Sequence, residues 1–89
     1  MQQKNKITQL ETYSILGGSW VTGLYEGPDV VRICLVINNQ ELSPVPLVNE
    51  GEIKYYAKDV ITSTSQIVQV QIFDASGKVL DIKPLTVAE

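Results

Sequence analysis

One thiol, no histidine and two pairs of neighbouring carboxylates make up the reactive inventory of this chain. Cys34 is the only cysteine among 89 residues, so no disulfide can form within the chain. Without histidine, neither a Ser–His nor a Cys–His arrangement is available. The run VRICLVI surrounds Cys34 with apolar side chains, where a thiol is inert rather than activated. The carboxylate pairs Glu26/Asp29 and Glu50/Glu52 fall in turns, where acidic residues serve the backbone. They lack the D-x-[DN]-x-[DN]-G spacing of a calcium loop. Gly17-Gly18-Ser19 has neither the spacing of a phosphate loop nor its following lysine and hydroxyl. These residues predict no catalytic, cofactor-binding or metal site, and the chain is expected not to be an enzyme.

The aromatic side chains offer different chemistry, stacking against a sugar ring. Such a platform needs two or three coplanar rings on one face. In WVTGLYEG, Trp20 and Tyr25 are an odd number of positions apart, so a regular strand points them to opposite faces. Tyr55 and Tyr56 diverge for the same reason. Tyr13, Trp20, Tyr25, Tyr55, Tyr56 and Phe73 are therefore assigned to packing, and Gly23 to the close approach of another backbone or side chain.

The elements that must position these residues are strands. Period-two alternation dominates, and no segment of helical length repeats its apolar residues every 3.6 positions. Ile7 to Tyr13 and Trp20 to Tyr25 read as the first two strands. Val31, Ile33, Leu35 and Ile37 should face the core, with Arg32, Cys34, Val36 and Asn38 opposite. Asn38-Asn39 suits a tight hairpin, because Asn tolerates the left-handed region. Pro44 and Pro46 make Glu41 to Val48 an edge strand or a loop. Ile53, Tyr55 and Ala57 alternate with Lys54, Tyr56 and Lys58; Val68, Val70 and Ile72 alternate with Gln69, Gln71 and Phe73. The 74–78 stretch DASGK is a hairpin loop with Gly where φ must be positive. Leu80, Ile82, Leu85 and Val87 carry the last strand, with Pro84 marking a bulge or an edge. About seven short strands, with turns every 8–12 residues, predict an all-β sandwich.

Length and charge set further bounds. The chain has room for one domain, residues 6–89, preceded by a polar linker or expression remnant at 1–5. A net charge of −3 with scattered basic residues leaves no phosphate-binding face, so no nucleic acid is expected. The longest apolar run is too short to span a bilayer, and no membrane insertion is expected. Residues 1–10 lack the apolar core of a signal peptide.

The stretch Val21-Thr22-Gly23-Leu24-Tyr25-Glu26-Gly27 resembles the V-T-G-x-Y-x-G strand and turn of bacterial immunoglobulin-like modules. These modules repeat in cell-wall-anchored surface proteins of Gram-positive bacteria, of the listerial and enterococcal type. Residues 31–39 are similar to the strand that this family ends with Val-Asn-Gly. Tyr55-Tyr56-Ala57-Lys58-Asp59, residues 74–81 and Leu85-Thr86-Val87 match its Y-Y-A, D-x-x-G-K-x-L and V-T-V segments in order. Asn39 departs from the usual Gly, and Cys34 stands where the family often has a polar residue. The resemblance implies an immunoglobulin-like Greek-key β-sandwich of about seven antiparallel strands. It further implies a secreted, non-catalytic spacer or stalk module that displays an adhesive domain. The expected setting is extracellular, anchored to the cell wall through parts of the parent protein outside this chain. Expected partners are neighbouring domains of the same chain, the module itself being monomeric. The alternative is a module that binds host protein or glycan through loops 26–29, 49–52 and 74–78. A Lys–Asn isopeptide crosslink is not expected, since no lysine lies on an apolar face.

Overall fold

Turns with few permissible residue types divide the chain. A computed structural model describes residues 5–47 and 49–89, and among them there is no helix. Asn38 and Asn39 take φ of 51° and 68°, as a two-residue hairpin requires. Gly51 and Gly77 take φ of 82° and 88° in the turns at 49–51 and 74–78, where a side chain would be strained.

Between these turns lie β1 (Lys6–Leu10), β2 (Tyr13–Ser14), β3 (Trp20–Glu26), β4 (Arg32–Ile37) and β5 (Gln40–Glu41). They are followed by β6 (Val45–Pro46), β7 (Glu52–Tyr56), β8 (Val68–Phe73), β9 (Val79–Pro84) and β10 (Val87–Ala88). One antiparallel sheet has the order β1-β3-β7; the other runs β5-β4-β8-β9, with β6 also on β4. The chain changes sheet between β3 and β4, between β6 and β7, and again between β7 and β8, which produces the expected sandwich. The strand expected over 7–13 divides in two: its last part, β2, leaves β1 and pairs in parallel with β10. The 41–48 segment pairs with β4 only through two dipeptides, as its prolines require, with Val48 outside the described residues. Residues 1–4 of the expected linker also lie outside the described residues. Asn5 forms two hydrogen bonds with Asp29, through its side-chain amide nitrogen and oxygen.

Ile7, Val21, Ile53, Ile33, Leu35, Val70 and Ile72 are almost wholly buried and form the core with Ile61. Two expectations about strand faces are corrected. Cys34 and Val36, assigned to the outer face of β4, are buried, while Val31 is exposed. The alternation rule assumes one wet face. Here β4 is paired on both edges, Gln71 reaches over Cys34, and Leu42, Val45 and Leu47 pack against the buried cluster. Phe73 is also buried, not outward, at a β-bulge between Ile72 and Phe73 in the β8–β9 ladder.

Asp81 ties the two sheets together at one side. Its Oδ2 accepts the Ile7 N–H at 2.8 Å, joining β9 to β1 across the sandwich. Ile7 is buried, so removing that acceptor strands its N–H. Asp81→Ala is expected to cost about 1–3 kcal/mol and Asp81→Asn clearly less, because the amide keeps an acceptor oxygen. Urea melts of the two variants check the ranking; equal stabilities would remove the latch from the account.

Candidate functional site

The thiol that sequence reasoning singled out sits in β4 with no exposed surface, and its Sγ–H donates to Gln71 Oε1 at 3.5 Å. Burial, and secondarily the negative charge of Glu41, push it up to about 12. At physiological pH it is a neutral thiol, and a neutral thiol is neither nucleophile nor metal ligand. Among the described residues no group of three Cys, Asp or Glu side chains could hold a metal ion. Three of the four paired carboxylates already have partners. Glu26 pairs with Lys6 at 3.9 Å. Asp29 accepts from Asn5, and Glu52 from Asn49.

Three loops singled out in the sequence converge at one pole of the sandwich. Pro28 lies at their meeting point: it borders one surface depression with Asn49 and Glu50 and another with Asp74, Ala75 and Ser76. The hairpin at 74–78 is held by its own acid. Asp74 Oδ1 accepts from Ser76 N, Ser76 Oγ and Lys78 N at 2.9, 2.6 and 3.0 Å. These bonds, that of the Ser76 hydroxyl first, hold its carboxyl below the usual carboxylate range. The opposite pole gathers the 15–19 turn, the Asn38-Asn39 hairpin and the 57–67 connection. There Leu16 is 82% exposed, and Glu89 borders a groove with Ile15, Leu16 and Thr62.

The aromatic side chains divide as their parity predicts. Tyr25 and Tyr55 are buried, whereas Trp20 and Tyr56 are 47% and 45% exposed on the outer face of the β1-β3-β7 sheet. Tyr13 and Phe73 are buried too, and the Tyr13 and Tyr55 hydroxyls donate to the carbonyls of Gly18 and Ser43. Burial is the leading cause that raises both phenols above their ordinary value.

An association between Trp20 and Tyr56 was not foreseen. The β3–β7 register sets them side by side, with ring centroids 5.1 Å apart and planes at 74°. The Lys54 ammonium lies 5.0 Å from the Trp20 ring centre, a cation–π distance. This is an edge-to-face pair capped by a cation, not a coplanar strip, and it does not present the parallel rings of a sugar platform. The signal available in the sequence was the alternation of Trp20 and Tyr56 onto the outer faces of their strands. Their adjacency depends on which strands pair and in what register.

A family model described as "Bacterial Ig domain" matches residues 5–89. One solved structure, described as "Structures of Clostridium thermocellum CbhA fibronectin(III)-like modules", is similar, with 11% identity and a TM-score of 0.47. The match covers 96% of this chain and 99% of that one. No curated protein matches the chain.

Proposed function

Because the chain belongs to the bacterial Ig domain family, we propose that it is a non-catalytic spacer module of a bacterial surface protein, holding an adhesive or binding domain away from the cell. In this reading it works outside the cell, in a protein anchored to a Gram-positive wall through other segments. The observation that carries the proposal is the placement of Asn5 and Glu89, the first and last of the described residues. Asn5 is hydrogen-bonded to Asp29 at the pole of the β3–β4 turn. Glu89 lies at the other pole beside Leu16 and Thr62. A chain that enters at one pole and leaves at the other can be joined in series without doubling back. Each copy then adds a body whose longest dimension is 36 Å. The inert Cys34 and the lack of a metal-ligand cluster among the described residues support a mechanical rather than a chemical role.

Small-angle scattering on a tandem fusion of two copies tests this. The maximum dimension should rise by about one module length over the single chain. A fusion whose two copies fold back side by side would overturn the spacer reading.

The convergence of loops 26–29, 49–52 and 74–78 favours a second reading, in which that pole binds host protein or glycan. A glycan array and a host-protein pull-down with the wild-type chain and a Pro28/Ala75/Ser76 variant separate the two. Binding lost in the variant supports the second reading; no binding by either leaves the spacer.

A further inference from the structure

Each sheet of a sandwich has two edges, and an edge strand left with unpaired N–H and C=O groups is a template for another strand. Three of the four edges of the two main sheets carry protection. On β1, the outward N–H of Ile7 is taken by Asp81. The edge beside β4 is cut into the dipeptides β5 and β6, with Pro44 and Pro46 in the segment. On β9, Pro84 closes the strand and Lys83 is exposed.

The fourth edge, β7, has no such device. It is five residues long, regular, without Pro, Gly or bulge, and pairs only with β3 among the described residues. The hydrogen-bond phase identifies the groups left over. Ala57 N donates to Ser19 O at 2.8 Å, and Tyr25 N donates to Gly51 O at 3.0 Å. Residues 51, 53, 55 and 57 therefore address β3, and 52, 54 and 56 point the other way. The N–H of Glu52 turns back to Asn49 O at 3.3 Å, whereas nothing among the described residues meets the outward backbone groups of Lys54 and Tyr56.

We propose that β7 is a self-pairing edge, and that two copies of this chain associate antiparallel through it about a two-fold axis at Ile53. The register follows from charge. Centring the axis on Lys54 would set that ammonium opposite its own copy, which is unfavourable. Centring it on Ile53 sets Glu52 opposite the partner's Lys54 and Lys54 opposite the partner's Glu52. Two reciprocal ion pairs then flank the axis, and the outward N–H of Lys54 on each copy donates to the outward carbonyl of the partner's Glu52, whose own N–H stays with Asn49. A lysine alone on an edge discourages pairing; a lysine two residues from a glutamate makes the edge complementary to itself. Both side chains are exposed in the single chain, Lys54 lying over Trp20 and Glu52 accepting from Asn49. The contact is isologous, so it closes at two copies and does not grow into a fibre.

This inference stands apart from the spacer reading and replaces the monomer expected from the sequence. A strand of this length buries much less than the ~1,200–2,000 Å² of a stable interface, so the association is weak and concentration-dependent. Sedimentation equilibrium of the 89-residue chain up to about 1 mM is the test. The wild-type chain should dimerise in that range. Glu52→Lys and Lys54→Glu should each weaken the dimer by about tenfold. The double exchange, Glu52→Lys with Lys54→Glu, should restore it, because both reciprocal pairs return with their signs reversed. Lys54→Pro removes an outward N–H that the β3–β7 ladder does not use, and should leave a folded monomer by circular dichroism. A wild-type chain that stays monomeric throughout, or a dimer indifferent to the charge exchanges, overturns the proposal. The charge series alone decides the matter should the proline variant fail to fold.

Discussion

Gly23→Ala is expected to destabilise the domain by about 2–4 kcal/mol, a large share of what a chain of this size has. Gly23 lies in the middle of β3, opposite Leu10, beside the register shift in β1 between Ile7 and Gln9. That bulge presses the β1 backbone inward. A methyl group on Gly23 would collide with the carbonyl oxygen of Gln9, and would stand 2.9 Å from Leu10 Cδ2 and 3.3 Å from Leu10 Cα. Two of these neighbours are backbone atoms held in the ladder, so the clash cannot be relieved by turning a side chain. Gly77→Ala is the control. It has φ of 88°, but nothing lies within 4 Å of the added carbon. Its cost is therefore conformational only, roughly 1–2 kcal/mol. Urea unfolding of both variants checks the order, and a Gly23→Ala protein as stable as the parent would remove the close approach from the account. In thermal melts the difference amounts to several degrees, since 1 kcal/mol moves Tm by about 4–8 °C in a domain of this length.

The glycine shows which parts of this fold can be read from residue types. A glycine inside a strand signals that something comes close, and here something does; that the intruder is the bulged backbone of β1 depends on the β1–β3 pairing, which only the folded register displays. Turns were legible for a related reason. Few residues accept positive φ, so Asn38-Asn39, Gly51 and Gly77 announce their conformations locally. The alternation of β7 was legible because one of its faces is wet.

Where neither condition held, the reading failed. β4 is dry on both faces from Ile33 to Ile37, so period two carried no information about Cys34 and Val36. Phe73 was misplaced because a bulge shifts the register beside it, and a bulge leaves no mark in an apolar run. The parallel pairing of β2 with β10 involves two residues on each side, too few for any periodicity. The Trp20–Tyr56–Lys54 cluster and the convergence of three loops around Pro28 are products of topology. Each member could be named in advance, but not its neighbours.

Alkaline pH should unfold this domain in a way that depends on Cys34. Its thiol is raised from 9.0 to about 12, chiefly by burial, and the phenols of Tyr13 and Tyr55 are raised as well. In all three the folded state holds the proton more tightly than the unfolded chain does. Their contribution is therefore fully present below the unfolded value and is lost as pH climbs toward the folded one. For Cys34 that window opens near pH 9 and closes near pH 12, and across it the thiol alone removes about 4 kcal/mol. The tyrosines steepen the fall above their ordinary value of 10.0. Cys34→Ala separates these contributions. At neutral pH it should be the less stable protein by about 1–2 kcal/mol, since it leaves a small cavity between Gln71 and the core. Above pH 9 it should lose stability more slowly than the parent, so that the two curves cross before pH 12. Guanidinium melts at intervals across that range measure both slopes. Parallel curves would mean that the thiol ionises as easily folded as unfolded, and that the second face of β4 is open to water after all.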